Sequence, residues 1–99
     1  MSDLYVKYLV CYDIVDNKRR KKFIDALEDL GLIRIQYSVF YGDLKPAEAK
    51  ALVRSASTLL NSKEDKCFWF PCRIDIDQLK KCIGYANFKY EEPDGHGFI

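Results

Sequence analysis

Lys7-Tyr-Leu-Val-Cys-Tyr-Asp13 is the stretch on which the reading of the fold turns. From Leu4 to Ile14 most residues are aliphatic, aromatic or β-branched, which is the composition of a strand buried on both faces. The run stops at Asp13, and Asp16, Asn17 and five consecutive basic residues, Lys18 to Lys22, follow. A buried strand thus delivers one carboxylate to its C-terminal lip, beside concentrated positive charge.

Working outward, Asp16 or Asn17 suits the cap of a helix. Phe23, Ile24, Leu27 and Leu30 then recur at helical spacing, and Gly31 is a suitable C-terminal stop. Cations in the first turns oppose the helix dipole, so helix stability alone does not account for the basic run. It reads either as a solvated face or as a patch for phosphates. Leu32 to Leu44 is rich in strand formers, with Arg34, Gln36 and Ser38 alternating among them, and predicts two short strands with a tight break at 36–38. Pro46 opens a second helix whose buried stripe is Ala49, Leu52, Val53, Ala56, Leu59 and Leu60, closed by Asn61. Cys67 to Phe70 forms a further strand, and Pro71 assigns it to an edge. Cys72 to Ile76 continues extended, 77–83 forms a short helical turn stopped by Gly84, Phe88 to Tyr90 is a terminal strand, and 91–97 is turn-like.

Composition sets the bounds. Ninety-nine residues with 48% hydrophobic and 14% aromatic content make one folded domain. No apolar run approaches the length of a bilayer span, and Met-Ser-Asp carries no signal pattern, so a cytoplasmic protein is expected. The net charge of +1 does not announce a polyanion binder, but five of the sixteen basic residues stand together. Cys11, Cys67, Cys72 and Cys82 show no metal-ligand spacing and read as reduced thiols used in packing.

The order strand, helix, strand, strand, helix, strand is the ferredoxin-like β-α-β-β-α-β arrangement, an α+β fold with both helices on one face of an antiparallel sheet. It fills one domain, 1–99, with a core over about 4–76 and an extension over 77–99. Tyr5, Tyr8, Tyr12, Phe40, Tyr41 and Trp69 amount to more aromatic surface than two helices hide, so a homodimer packed sheet to sheet is expected.

Tyr12-Asp13-Ile14, then Lys18-Arg19-Arg20, then Arg34-x-Gln36-x-Ser38-Val39-Phe40 resemble the CRISPR-associated protein Two family, in the right order on the right elements over about residues 5–60. The resemblance implies a homodimeric ferredoxin-like subunit of the machinery that acquires spacers in prokaryotic adaptive immunity. It implies a metal-dependent endonuclease on single-stranded RNA or duplex DNA, with Asp13 as the metal-binding and catalytic residue. It also implies a terminal strand pairing with the partner protomer's sheet, and a complex in which the dimer bridges two dimers of the CRISPR-associated protein One integrase.

Hydrolysis of a phosphodiester needs its charge neutralised and a water activated, and Mg²⁺, or another divalent cation such as Mn²⁺, supplies both. Magnesium asks for only one or two carboxylates, so two copies of Asp13 across a two-fold axis would suffice. Against this, spacing alone makes Asp13 an N-cap or a turn former ahead of the first helix. Lys18, Arg19, Arg20 and Arg34 are the candidate phosphate contacts, and Arg34 equally suits a surface ion pair. Tyr12 packs its ring and sends its hydroxyl to a neighbour. Ser38 suits the metal's surroundings or a turn, and Phe40 the core or the dimer interface. Asp16 and Asp43 are spare carboxylates, and His96 lies in the tail. The sparse inventory, one carboxylate with no histidine near it, also fits a non-catalytic scaffold for DNA. An unrelated ferredoxin-like regulatory dimer is the third reading.

Overall fold

The computed structural model describes residues 4–91. Its elements run β1 (Val6–Asp13), α1 (Asn17–Asp29), β2 (Ile33–Gln36), β3 (Val39–Leu44), α2 (Pro46–Leu59), β4 (Lys66–Pro71) and α3 (Ile76–Lys80). The four strands form one antiparallel sheet in the order β2-β3-β1-β4. This is the ferredoxin-like arrangement, with β1 in the middle and Asp13 at its end.

Local chemistry explains the boundaries. Asp16 caps α1 by accepting from the Arg19 amide at 2.9 Å. Gly31, at φ +86°, makes the left-handed exit after Leu30. Pro46 stands in the first turn of α2, and Glu48 reaches back to the Lys45 amide at 2.8 Å. Pro71 closes β4, an edge strand, where a missing ladder donor is tolerated.

Strand alternation sends Val10, Tyr12, Phe40 and Leu44 to the helix side, where they meet Phe23 and Leu27 of α1 and Leu52 and Ala56 of α2. Gly42 belongs to this layer because the chain leaves no room there. A Cβ at that position would stand 2.9 Å from Leu32 Cδ2 and 3.3 Å from Leu32 Cα. Leu32 is itself buried and cannot swing away. Gly42→Ala is therefore expected to lower stability by about 1–3 kcal/mol, read from the midpoint of urea unfolding.

Several expectations are corrected. β1 is central but not buried on both faces: Leu9 and Cys11, on the side away from the helices, are half-buried. Tyr8, Tyr12, Phe40 and Trp69 all pack on the helix side, so they do not demand cover for the other face. The rings open on that other face are Phe68 and Phe70, 47% and 58% exposed, with centroids 5.1 Å apart. Val53 points outward at 41% exposure rather than completing the α2 stripe. Of the four unpaired cysteines, Cys82 is exposed and takes no part in packing.

After β4 the expected short helical turn is present as α3, Ile76–Lys80, with Gly84 at φ +90° beyond it. Cys72 to Asp75 does not continue the ladder, and Phe88–Tyr90, expected as a strand, has no ladder partner among the described residues. Instead the segment crosses the second face of the sheet on side-chain anchors. Tyr41, fully buried, accepts from the Ile74 amide at 2.9 Å, and Tyr85 donates to the Ile35 carbonyl at 2.8 Å. The Tyr90 ring lies 5.4 Å from that of Tyr41, and its hydroxyl bonds Asp43. Asp43 is also paired with Lys7 at 2.8 Å, so this spare carboxylate is a buried structural anchor. The rest of the extension, with His96 and the remainder of the 91–97 turn, lies outside the described residues.

Candidate nucleic-acid interface around Asp13

β1 positions the site by alternation. Tyr12 turns into the core, edge-on to Phe23 at 5.7 Å and tilted against Phe40 at 6.2 Å. Asp13, the next residue, turns to the opposite side and is exposed. Its carboxylate makes no hydrogen bond or ion pair with another described residue. It opens onto a hollow lined by Cys11, Tyr12, Lys66, Cys67 and Phe68. Lys66 is its register partner on β4 and brings a cation across the sheet. Burial pushes the Cys67 thiol up to about 12, so it stays protonated at neutral pH.

The backbone on either side of Asp13 is held firmly. On one side the Tyr12 amide donates to the Ser38 carbonyl at 3.1 Å, and its hydroxyl donates to the Tyr37 carbonyl at 3.2 Å. Ser38 thus serves the β2–β3 turn and ties that turn to the end of β1. On the other side the Arg20 guanidinium donates to the Ile14 carbonyl at 2.8 Å and to Asn17 Oδ1 at 2.5 Å. The Val15 amide donates to Asp65 at 3.0 Å.

The basic run divides once partners are visible. Arg19 grips Asp65 with two donors, at 2.9 and 3.1 Å, and Glu64 at 3.0 Å. In the chain as described the fork is engaged and its charge matched by two carboxylates. The guanidinium holds the Asp65 carboxyl well below the usual carboxylate range. Asp16, with the Arg19 amide at its side chain, is lowered too and is a cap rather than a ligand. Arg20 keeps an uncompensated charge because it bonds carbonyls and an amide oxygen. Lys18 and Lys22 are exposed, while Lys21 approaches Asp25 at 3.4 Å.

Arg34 is exposed, with its guanidinium 5.5 Å from the Phe40 ring and 5.9 Å from the Tyr37 ring, and it is in no ion pair among the described residues. Phe40 has no exposed surface and is a core residue. Asp13, Tyr12, Arg20, Arg34 and Ser38 are thus gathered at one end of the sheet, and Arg19 faces β4. Asp65, Lys66 and Tyr37 were not singled out in the sequence. Asp65 and Lys66 stand in a polar connection whose only signal is that it precedes a strand.

A family model described as CRISPR associated protein Cas2 matches residues 6–82. The chain belongs to the CRISPR-associated protein Cas2 family. Among curated relatives, a protein of Korarchaeum cryptofilum named CRISPR-associated endoribonuclease Cas2 is 49% identical over 84 residues, covering 84% of this chain and 89% of that one. One of the same name from Desulforudis audaxviator is 37% identical over 88 residues, covering 88% and 82%. The crystal structure of a hypothetical protein from Thermus thermophilus superposes with TM-score 0.65 at 35% identity, covering 70% of this chain and 83% of that one. Streptococcus pyogenes Cas2 superposes with TM-score 0.61, covering 79% and 99%, and at 21% identity shows the shared fold. The match extends past β4 and α3, beyond the residues on which the Cas2 resemblance was first read.

The donor set near Asp13 tests whether a divalent cation fits. Among the described residues no group of three or more His, Cys, Asp and Glu side chains comes together. Magnesium needs only one or two carboxylates and keeps several waters. Asp13 is an exposed carboxylate with no partner among the described residues, a donor of the kind such an ion takes. No described helix is long and apolar enough to cross a membrane.

Proposed function

We propose that this chain is a homodimeric, divalent-metal-dependent endonuclease of CRISPR spacer acquisition, cleaving phosphodiester bonds of single-stranded RNA or duplex DNA. The observation that carries the reading is the Asp13 carboxylate. It is exposed and without a partner among the described residues, while Asp16 and Asp65 beside this end of β1, and Asp43 at the strand's other end, are all engaged, and it stands on backbone braced from both sides. The names of the curated relatives support the nuclease class.

In this reading Asp13 of each copy holds Mg²⁺ or Mn²⁺ between the two sheets. When bound, the ion neutralises phosphate charge and makes a water nucleophilic. Lys18, Arg20 and Arg34 attract and orient the sugar–phosphate chain. Tyr12 fixes the turn beside Asp13, and Arg20 fixes the loop behind it. The open face with Phe68, Phe70, Leu9 and Cys11 supports a dimer packed sheet to sheet, which brings the carboxylates within reach of one another. The cytoplasm is the compartment in which such a protein meets nucleic acid.

A second reading follows from the thin donor set: the dimer is a non-catalytic scaffold that holds DNA between integrase dimers. One experiment separates the two. Purified protein is incubated with labelled single-stranded RNA and duplex DNA in Mg²⁺, in Mn²⁺ and in excess EDTA, with its mass followed by light scattering. The nuclease reading expects cleavage by a dimer that stops on chelation and returns with metal. Binding without cleavage in every metal supports the scaffold. A monomer that cleaves equally in EDTA overturns the metal-sharing site.

A further inference from the structure

Three rings gather on or beside the helix side of the sheet, at the end where β1 finishes. Tyr12 is 5% exposed, Phe40 not at all, and Tyr37 is 73% exposed. Tyr37 is not explained by folding. It buries little apolar surface, and the turn at 37–38 uses no positive φ and so makes no special demand on residue type. Yet its backbone is among the best held at this end of the sheet. Its carbonyl accepts from the buried Tyr12, and the neighbouring Ser38 carbonyl accepts from the Tyr12 amide. The result is an open aromatic face on a braced turn, at the end of the sheet where β1 finishes. The Arg34 guanidinium stands 5.9 Å from the ring.

An exposed ring beside a cation is the chemistry that takes an unpaired base together with its phosphate. Every base has a π face, and a guanidinium beside the ring can meet the adjoining phosphate. A base inside a duplex has both faces occupied and cannot use such a platform. We propose that Tyr37 is a stacking platform for one unpaired nucleobase whose adjoining phosphate meets Arg34, and that it biases the protein towards single-stranded substrate. This rests on the nucleic-acid reading above and adds a residue and a preference to it.

The test uses the full chain as wild type, Tyr37→Phe and Tyr37→Ala. Binding in EDTA is measured by fluorescence anisotropy with a labelled single-stranded oligoribonucleotide and with a DNA duplex. A second single strand carries 2-aminopurine, whose emission falls on stacking. Tyr37→Ala is expected to weaken single-strand binding about tenfold and to restore 2-aminopurine emission. Tyr37→Phe should retain both properties, duplex affinity should change less than about twofold, and the salt dependence should be unaltered because the ring carries no charge. Equal losses on single strand and duplex, or full single-strand affinity in Tyr37→Ala, overturn the platform while leaving nucleic-acid binding intact. Wild type that binds neither probe overturns the parent reading and the platform with it. Folding of each variant is followed by thermal unfolding, and a Tyr37→Ala protein that fails to fold would itself contradict a ring that stands in solvent.

Discussion

Asp13→Asn is expected to lower metal-dependent cleavage at least ~100-fold while leaving the thermal midpoint within about 2 °C of wild type. The two effects separate because of where the carboxylate stands. It bonds no other described residue, so removing its charge deprives the fold of nothing, and exposed substitutions of that kind usually change stability by no more than about 0.5 kcal/mol. Its chemical role has no substitute nearby, since the neighbouring Asp16 caps a helix and Asp65 lies under Arg19. Asparagine keeps the shape and one acceptor oxygen but loses the negative charge a hard cation requires. Cleavage and unfolding measured on the same preparations check this. Equal activity in both proteins would place the chemistry elsewhere. A large fall in the melting midpoint would show that Asp13 is a structural turn residue after all.

Asp65→Ala is expected to do the reverse, lowering the melting midpoint by roughly 10–20 °C. Its side chain is 1% exposed and ties three segments together. It accepts from the Val15 amide at 3.0 Å and the Asn61 amide at 2.8 Å, and meets the Arg19 fork. Alanine would leave two backbone donors and a guanidinium without their partner near the core. Arg19→Lys would not keep the arrangement, because an ammonium cannot present two parallel donors. The pH dependence follows from the direction of the shift. A carboxyl whose folded pKa is depressed adds stability above its unfolded value, about pH 4, and loses it as pH falls towards the folded value. Asp65 and Asp16 both act in this sense. The gap in melting midpoint between wild type and Asp65→Asn should therefore be widest above about pH 5 and narrow steadily below about pH 4. A gap that widens on acidification would contradict the Arg19 clamp.

Features set by neighbours in sequence were legible. A cap at Asp16 or Asn17, the Gly31 exit, the Pro46 start and a break within 36–38, which the structure places at 37–38, each follow from the conformational preferences of a few residues. The order of the elements then fixed the sheet. What was not legible depends on partners far along the chain. Lys18 to Lys22 looks uniform as letters, yet Arg19 finds its carboxylate at Asp65, 46 positions away, and Arg20 turns back to the strand it follows. The rings of Tyr8 and Trp69 gave no sign of which side of the sheet they would take, because that depends on register. The helical turn after Pro71 was legible, but Phe88 to Tyr90 was misread as strand because the segment's hold on the sheet runs through single side chains, Tyr85 and Tyr90, rather than a repeating backbone pattern. Asp13 was legible through the family pattern. Its lack of a partner was visible only in the fold.

The Arg20 guanidinium also settles how much freedom the acid ahead of it retains. By gripping the Ile14 carbonyl it locks the peptide that follows Asp13, while the ladder locks the one before. Motion of that oxygen pair is then confined to two side-chain torsions. Whatever ion or hydrogen-bond donor arrives finds an anchor that was immobilised during synthesis and collapse of the chain, so the entropic cost of capture is already largely met before the encounter.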